Sequence, residues 1–246
     1  MSRPNLSRSL LLLALSTVLV AGPAGADEPD PSAPGLSGRQ RLEALIERVR
    51  AAQDGLETLE AEFVQERSSE FLTATESSSG TFSYQAPDRV RWEYVAPRPI
   101  SLVIEGETMT TWFHDLGRAE RLKVGRVSSQ VFQYLNASGS LDKLLDYFTL
   151  TLTPPRPGEP WRVELDPRYP RVAKRLRSMT LWIDPERFLP TRVRYVEPNG
   201  DSTEYRLDKL RPNGGIPAER FRLELPRDVE VREVSVGEAR NGNGAR

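Results

Sequence analysis

The chain has 246 residues, a formal net charge of −1 and no cysteine. The absence of cysteine excludes disulfide frameworks, thiolate metal sites and cysteine nucleophiles. The balanced charge gives no excess of basic residues of the kind that binds nucleic acid. Twenty prolines and seventeen glycines indicate many short strands joined by turns.

The first 26 residues have the pattern of a secretory signal peptide. Arg3 and Arg8 precede an apolar run from Leu10 to Ala21, and small residues lead to Ala26. The run is too short to span a bilayer comfortably, which takes about 20 residues. We therefore predict cleavage after Ala26 and export of the mature chain.

The exported part is predicted to be one domain between two polar termini. Residues 27–37 contain three prolines and no apolar period, which indicates a flexible leader. The last ten residues, 237–246, are rich in Gly and Asn and are predicted to be disordered. The stretch between them, 38–236, has a suitable length for a single mainly β domain.

An amphipathic helix is predicted at the start of this domain. Leu42, Leu45, Ile46 and Val49 follow the i, i+3, i+4, i+7 spacing among charged residues, and the pattern ends near Gly55. We interpret this helix as covering an open end of the sheet.

Alternation with period two then indicates strands along most of the chain. In the clearest stretch, Val90, Trp92 and Tyr94 alternate with Arg89 and Arg91. The runs predict ten to twelve mostly antiparallel strands, including a last one through Phe221, Leu223 and Leu225. Because so many twisted strands cannot form a flat sheet, we expect a barrel or half-barrel.

The alternation is interrupted between Ser128 and Phe148, where the apolar spacing is helical. Two short helices are predicted there, and they either cap the sheet or form a lid that opens reversibly over a cavity. The predicted lid residues are Val131, Phe132, Leu135, Leu141, Leu144, Leu145 and Phe148.

Motifs for catalysis are missing from the sequence. His114 is the only histidine, and no Gly-x-Ser-x-Gly, phosphate-binding loop or His-Glu-x-x-His occurs. Asp and Glu occupy the polar phase of the strands, which is typical of solvated faces. We therefore predict no enzyme activity, no metal site and no cofactor.

The strands carry more apolar surface than a single sheet with few helices can cover. This excess indicates a concave apolar interior of a shape that suits a lipid. The predicted cavity residues are Phe63, Phe82, Tyr84, Val90, Trp92, Tyr94, Leu102, Ile104, Met109, Phe113, Leu181, Ile183, Val193, Tyr195 and Leu207.

An ordered set of short motifs resembles the LolA-like periplasmic lipoprotein carriers. After the signal peptide and the amphipathic helix, the set includes Gly80-Thr81-Phe82, Ala86-Pro87, Arg91-Trp92-Glu93-Tyr94, Leu189-Pro190-Thr191 and Phe221-Arg222-Leu223. The resemblance covers about Leu42 to Val236, and no single motif in it is specific.

The resemblance implies an unclosed barrel of about eleven antiparallel strands with helices as a lid. It further implies a monomeric periplasmic protein whose cavity takes up the acyl chains of lipoproteins. An inner-membrane loading transporter would supply this cargo, and an outer-membrane receptor would accept it. The receptors of this fold are anchored through a lipidated cysteine, which this chain lacks, so the resemblance favours the carrier role.

One departure from the family pattern concerns the control of the lid. Many members have an arginine directly before the turn proline, where it bonds to the lid helices, but this chain has Ala86. Arg89 and Arg91 are the candidate substitutes. The departure leaves two alternatives open: a carrier of a different lipid, and a periplasmic module of the same fold that senses or binds a lipid or lipoprotein.

Arginines on the polar phase suggest a second, weaker hypothesis. Arg192 and Arg194, together with the basic stretch from Arg171 to Arg175, either keep the sheet soluble or dock an acidic partner or anionic head groups. In the docking case, charge reversal at Arg192 and Arg194 lowers partner binding and its sensitivity to salt.

Overall fold

The computed structural model describes residues 29–69, 74–123 and 144–234. Two helices lie wholly within these ranges, α1 (Gly38–Asp54) and the short α2 (Pro170–Ala173), with 3-10 turns at His114–Leu116 and Ala218–Phe221. The strands are β1 (Thr58–Ser68), β2 (Glu76–Gln85), β3 (Arg89–Ala96), β4 (Ile100–Glu105), β5 (Thr108–Phe113), β6 (Arg118–Lys123), β7 (Phe148–Thr153), β8 (Trp161–Pro167), β9 (Ser178–Ile183), β10 (Pro190–Val196), β11 (Ser202–Pro212) and β12 (Glu230–Val234).

All of these strands join one sheet in the order β12-β6-β5-β4-β3-β2-β1-β11-β10-β9-β8-β7. Neighbouring strands are antiparallel except β12, which runs parallel to β6. Two meanders, β1 to β6 and β7 to β11, are joined by the pairing of β1 with β11. Because β12 and β7 lie at opposite ends of the order, the sheet is unclosed, which confirms the predicted mainly β, unclosed architecture.

Helix α1 forms where the apolar spacing predicts it, but it packs on one face of the sheet over β7 to β10, whereas we expected it at an open end of the sheet. Its start is stabilised by a capping box, in which the Ser37 hydroxyl accepts from the Gln40 amide and the Gln40 side chain accepts from the Ser37 amide. Leu45, Ile46 and Val49 are buried against β7 to β10. The helix ends at Asp54, directly before Gly55, because no further apolar period continues it.

The other half of the same face is packed by side chains of β1 to β4 and β11. We call the face that carries both halves the inner face and the opposite one the outer face. Phe63, Phe82 and Trp92 are buried in this second cluster, and Leu59, Ile104 and Leu207 surround them. The apolar side chains of these two clusters therefore point to one face of the sheet, because successive side chains of a strand alternate between the two faces.

The outer face is covered in part by the chain after β11, where one expectation was wrong. Phe221, Leu223 and Leu225 do not form a strand: Phe221 ends a 3-10 turn, and the residues after it are irregular. Phe221 is buried, and Leu223 and Leu225 are partly buried. Their period of two arises because this segment lies on a sheet face, without pairing at a sheet edge.

The Arg91 side chain fastens this segment to the outer face. Its guanidinium donates from Nη1 to the carbonyls of Arg220 and Arg222, at 3.1 and 3.2 Å. It also donates from Nε to Glu93, at 2.8 Å. Arg91 therefore makes its contacts on the outer face. It does not substitute for the family arginine whose position Ala86 occupies, because a lid would lie over the inner face.

Two further segments have a structure that the sequence did not predict. Phe148, expected in the second lid helix, is the first residue of β7. Part of the predicted leader, residues 29–36, forms turns, and the Arg41 guanidinium donates to the carbonyl of Pro31 at 2.6 Å. Among the described residues, no helix combines the length and apolarity that crossing a bilayer requires.

Candidate functional site

The inner face of β1 to β4 and β11 carries a cluster of aromatic rings. Trp92 lies at its centre, with ring centroids 4.6 Å from Phe63, 4.9 Å from Phe82 and 5.1 Å from Tyr205. Tyr94 lies 4.9 Å from Phe63 on the same face. We call these residues the aromatic site: Phe63, Phe82, Trp92, Tyr94 and Tyr205.

Distances within the aromatic site show that the inner face is concave. Trp92 is on β3 and Tyr205 is on β11, with β2 and β1 between them. Strands three places apart in a flat sheet are separated by about 14 Å. The two ring centroids are only 5.1 Å apart, so the side chains converge because the sheet curls around them.

Gly80 makes the close approach of these rings possible. It lies in register with Phe63 on β1 and with Tyr94 on β3. A methyl group at this position would meet the Phe63 ring at 2.9 Å and would collide with the carbonyl of Glu93. The Phe63 ring therefore occupies the space above a strand position that has no side chain.

The predicted cavity residues separate into two groups in the structure. Most of them belong to the aromatic site or to the cluster around it: Phe63, Phe82, Tyr84, Val90, Trp92, Tyr94, Leu102, Ile104, Met109 and Leu207. Leu181, Ile183 and Val193 belong to the other cluster, where α1 packs over them. The strand registers place Phe113 and Tyr195 on the inner face, and both are partly buried.

The predicted lid residues are only partly within the described structure. Val131, Phe132, Leu135 and Leu141 lie outside the described residues. Leu144 is buried in the cluster that contains α1, and Leu145 packs against that cluster. Phe148 is buried there too, as part of β7.

Sequence reasoning omitted Tyr205 from the candidate site, although the residue contacts Trp92. Its alternation with Leu207 was a usable signal, because both side chains point to one face of β11. What the sequence did not show is that β11 pairs with β1, which places Tyr205 opposite Gln65 and beside the rings of β3.

Three tyrosine hydroxyls lie at one end of the inner face. Tyr205 is hydrogen-bonded to both Tyr94 and Tyr195. Burial raises the pKa of Tyr94 from its ordinary value of 10.0 to about 12, although the hydrogen bond with Tyr205 acts in the opposite direction. Burial also raises the pKa of Tyr195 and of Tyr205. The hydroxyls therefore stay neutral and supply a polar end to an otherwise apolar face.

The raised tyrosine pKa values predict a loss of stability at alkaline pH. A hydroxyl whose pKa is higher in the folded chain stabilises the fold below its unfolded pKa, and this contribution disappears as pH rises through the folded value. We expect the free energy of unfolding to fall between pH 10 and about 12 for Tyr94. In Tyr94→Phe the fall should be shallower, as urea unfolding at a series of pH values would measure.

The matched control for this experiment is Tyr169→Phe. Tyr169 is 44 % exposed, so removal of its hydroxyl should change the free energy of unfolding at neutral pH by less than about 0.5 kcal/mol. Equal slopes in the unsubstituted protein and in Tyr94→Phe would contradict the assignment of the alkaline loss to Tyr94.

Arg192, one of the two outer-face arginines of the docking hypothesis, is less available than that hypothesis assumed. Arg192 donates to Glu204 at 2.6 Å and stacks on Trp182 at 4.2 Å from the ring centroid. Burial alone would raise the pKa of Glu204, but hydrogen bonds from Arg192 and Arg206 outweigh it and lower the pKa. Charge reversal at Arg192 would therefore disturb this ion-pair network, so it is a poor probe of docking.

The only histidine of the chain takes part in a structural hydrogen-bond chain. The Ser101 hydroxyl donates to Glu93 at 2.7 Å and lies 2.8 Å from Nε2 of His114. Because the hydroxyl proton is directed at the carboxylate, His114 is assigned as the donor to Ser101. This orientation is the reverse of a nucleophile activated by a base. The described residues also contain no cluster of metal ligands.

Comparison with known proteins identifies the family of the chain. The family model described as outer membrane lipoprotein carrier protein LolA matches residues 54–224, which include β1 to β11. The chain belongs to the LolA family. Helix α1 and strand β12 flank the matched region.

Two relatives are named outer-membrane lipoprotein carrier protein. The one from Alkalilimnicola ehrlichii is 30 % identical over 193 residues, which cover 75 % of this chain and 81 % of the relative. The one from Halorhodospira halophila is 28 % identical over 217 residues, which cover 79 % and 94 % of the two chains. Membership of this carrier family confirms the predicted resemblance and the prediction that the chain is not an enzyme.

A solved structure shows the same fold at low sequence identity. An uncharacterised conserved protein from Thermus thermophilus is 11 % identical and superimposes with a TM-score of 0.50. The match covers 78 % of this chain and 99 % of the other. At this identity the likeness concerns the fold alone.

Proposed function

We propose that this LolA-family protein is a periplasmic carrier that binds the acyl chains of lipoproteins at the aromatic site and shuttles them from the inner to the outer membrane. The observation that carries the proposal is the concave apolar face centred on Trp92, on a chain that belongs to a lipoprotein carrier family. The predicted signal peptide supports the periplasmic location.

The energetics of such a carrier follow from the hydrophobic effect. Removing an acyl chain from water gains about 0.8 kcal/mol for each buried methylene group. A bilayer offers the same gain, so transfer from membrane to carrier is close to neutral. Direction must therefore come from partners, which we propose to be a loading transporter in the inner membrane and a receptor in the outer membrane.

The division of the inner face limits where the acyl chains bind. Leu181, Ile183 and Val193 are covered by α1, so they serve the core of the protein in this arrangement. Leu102 and Tyr94 are only partly buried beside the aromatic site. Phe63, Phe82 and Trp92 are buried and in ring contact, so their side chains fill the aromatic site in this arrangement. The proposal therefore includes movement of side chains when an acyl chain enters.

Lipid analysis of protein purified from its own periplasm tests the proposal. We expect organic extracts of the unsubstituted protein to contain acyl lipid or lipoprotein by mass spectrometry. Leu102→Glu places a carboxylate on the inner face opposite Trp92, and an unpaired charge beside an acyl chain is unfavourable by several kcal/mol. The bound lipid should fall by about tenfold or more.

Thr110→Glu is the control, because Thr110 is also partly buried but points to the outer face of β5. It should retain the lipid, and circular dichroism should show that both variants are folded. Equal lipid content in Leu102→Glu and Thr110→Glu would show that the acyl chains do not bind at the aromatic site.

A further inference from the structure

A group of cations surrounds α2, at the end of the sheet where the tyrosine hydroxyls lie. The stretch from residue 168 to 177 contains five basic residues and no acidic one. We call these residues the rim cluster: Arg168, Arg171, Lys174, Arg175 and Arg177. All five are exposed.

The rim cluster is held in place by its backbone and by the apolar residues between the cations. The Arg168 amide donates to the Tyr147 carbonyl at 2.8 Å, and the Arg177 amide donates to the Val196 carbonyl at 2.7 Å. Val172 and Leu176 pack against the cluster under α1. These contacts position the stretch directly beside Tyr195, at one end of the inner face.

The charges of the rim cluster are not neutralised within the described part of the chain. None of the five side chains forms an ion pair there, whereas Arg192, Arg206 and Lys209 on the outer face each do. Several unpaired cations side by side repel one another, so a concentration of this kind favours binding to a surface of opposite charge.

The same turn also presents an exposed aromatic side chain. Tyr169 is 44 % exposed, and the Arg171 guanidinium lies 5.3 Å from the centre of its ring. Tyrosine is enriched at the level of lipid head groups, where its ring is partly in apolar surroundings and its hydroxyl is in water. An exposed tyrosine within a group of cations is thus suited to a bilayer surface.

We propose that the rim cluster and Tyr169 dock this protein on the surface of a bilayer that contains anionic phospholipids. A bilayer presents diffuse negative charge, which matches cations that point in several directions and have no fixed partners. Docking at this end orients the polar end that the tyrosine hydroxyls form toward the membrane. This inference goes beyond the proposed carrier function, because it concerns how the protein approaches a membrane and not what it carries.

Vesicle co-sedimentation at low ionic strength tests the docking. The probes are vesicles of phosphatidylethanolamine with phosphatidylglycerol, compared with vesicles of phosphatidylcholine alone. We expect binding to the anionic vesicles only, and we expect added salt to weaken it because salt screens exposed charges. Each cation near an anionic surface strengthens binding by about fivefold, so R171Q/K174Q/R175Q should reduce the affinity on the order of a hundredfold.

A control variant with the same change of net charge is R187Q/R220Q/R227Q. These three arginines are exposed and lie outside the rim cluster. The control should bind anionic vesicles almost as well as the unsubstituted protein, and thermal unfolding should show that both triple variants are folded. Equal losses in the two variants would indicate a general charge effect and would overturn the proposal.

Vesicle binding that R171Q/K174Q/R175Q does not change would also overturn the proposal. Because the assay contains no lipoprotein, its result is independent of whether acyl chains bind at the aromatic site.

Discussion

Trp92→Ala is expected to lower the free energy of unfolding by about 4 kcal/mol, because it removes the largest ring of the aromatic site. Trp92 is buried and contacts rings from three other strands, Phe63, Phe82 and Tyr205. Its removal leaves a space that the curved sheet cannot close without moving those strands. Urea unfolding of the two proteins would measure the difference.

Trp182→Ala is the matched control, since Trp182 lies on the outer face of β9 and is partly exposed. Its ring stacks with the guanidinium of Arg192, so its removal should cost roughly 1 kcal/mol. Similar costs for the two tryptophans would show that the aromatic site is not tightly packed.

The tight packing around Trp92 affects how the result of a charged substitution at this position would be interpreted. Trp92→Glu is the substitution that the sequence suggests for removing bound lipid. In the structure it would bury a carboxylate in a core cluster, so loss of lipid could reflect loss of the fold. Leu102 is the better position for the binding test, because it is partly exposed on the same face.

Gly80→Ala is expected to destabilise the protein by about 3 kcal/mol, at the upper end of the range for overpacking in a core. The added methyl group would meet the Glu93 carbonyl and the Phe63 ring, and the backbone carbonyl cannot turn away without breaking the pairing of β2 with β3. Displacement of the Phe63 ring should also reduce the lipid content of the purified protein. Chemical denaturation and lipid extraction measure the two effects.

Gly214→Ala provides the comparison for the glycine substitution. No atom lies within 4 Å of a methyl group built at Gly214, so its stability should change by less than about 0.5 kcal/mol. If Gly80→Ala were equally neutral, the close approach of Phe63 to Gly80 would not be a requirement of the fold.

Much of the architecture could be predicted because the strands obey a simple periodicity. Val90, Trp92 and Tyr94 alternate with charged residues, and this alternation places the three side chains on the inner face. Leu45, Ile46 and Val49 likewise predict the buried side of α1. Errors occurred where a local pattern has more than one structural solution, as at Phe221, where an extended segment packs on a face without pairing.

The candidate site could be predicted only as a list of apolar residues. Periodicity shows that Trp92 and Val193 both point inward, but it does not show that Val193 lies under α1 while Trp92 contacts Tyr205. These relations depend on the pairing of β1 with β11, two strands that are distant in the sequence. The polar end formed by Tyr94, Tyr195 and Tyr205 has the same origin.

The sequence by itself determined the strand-rich class, the buried side of each element and the absence of catalytic motifs, because these depend on residue type and on local spacing. Only the tertiary structure decided which inward residues meet one another and which are covered by α1. It also decided that Arg192 is paired whereas the rim cluster is not paired within the described residues. The physical reason is that strand order and curvature bring together side chains whose separation along the chain carries no information about their separation in space.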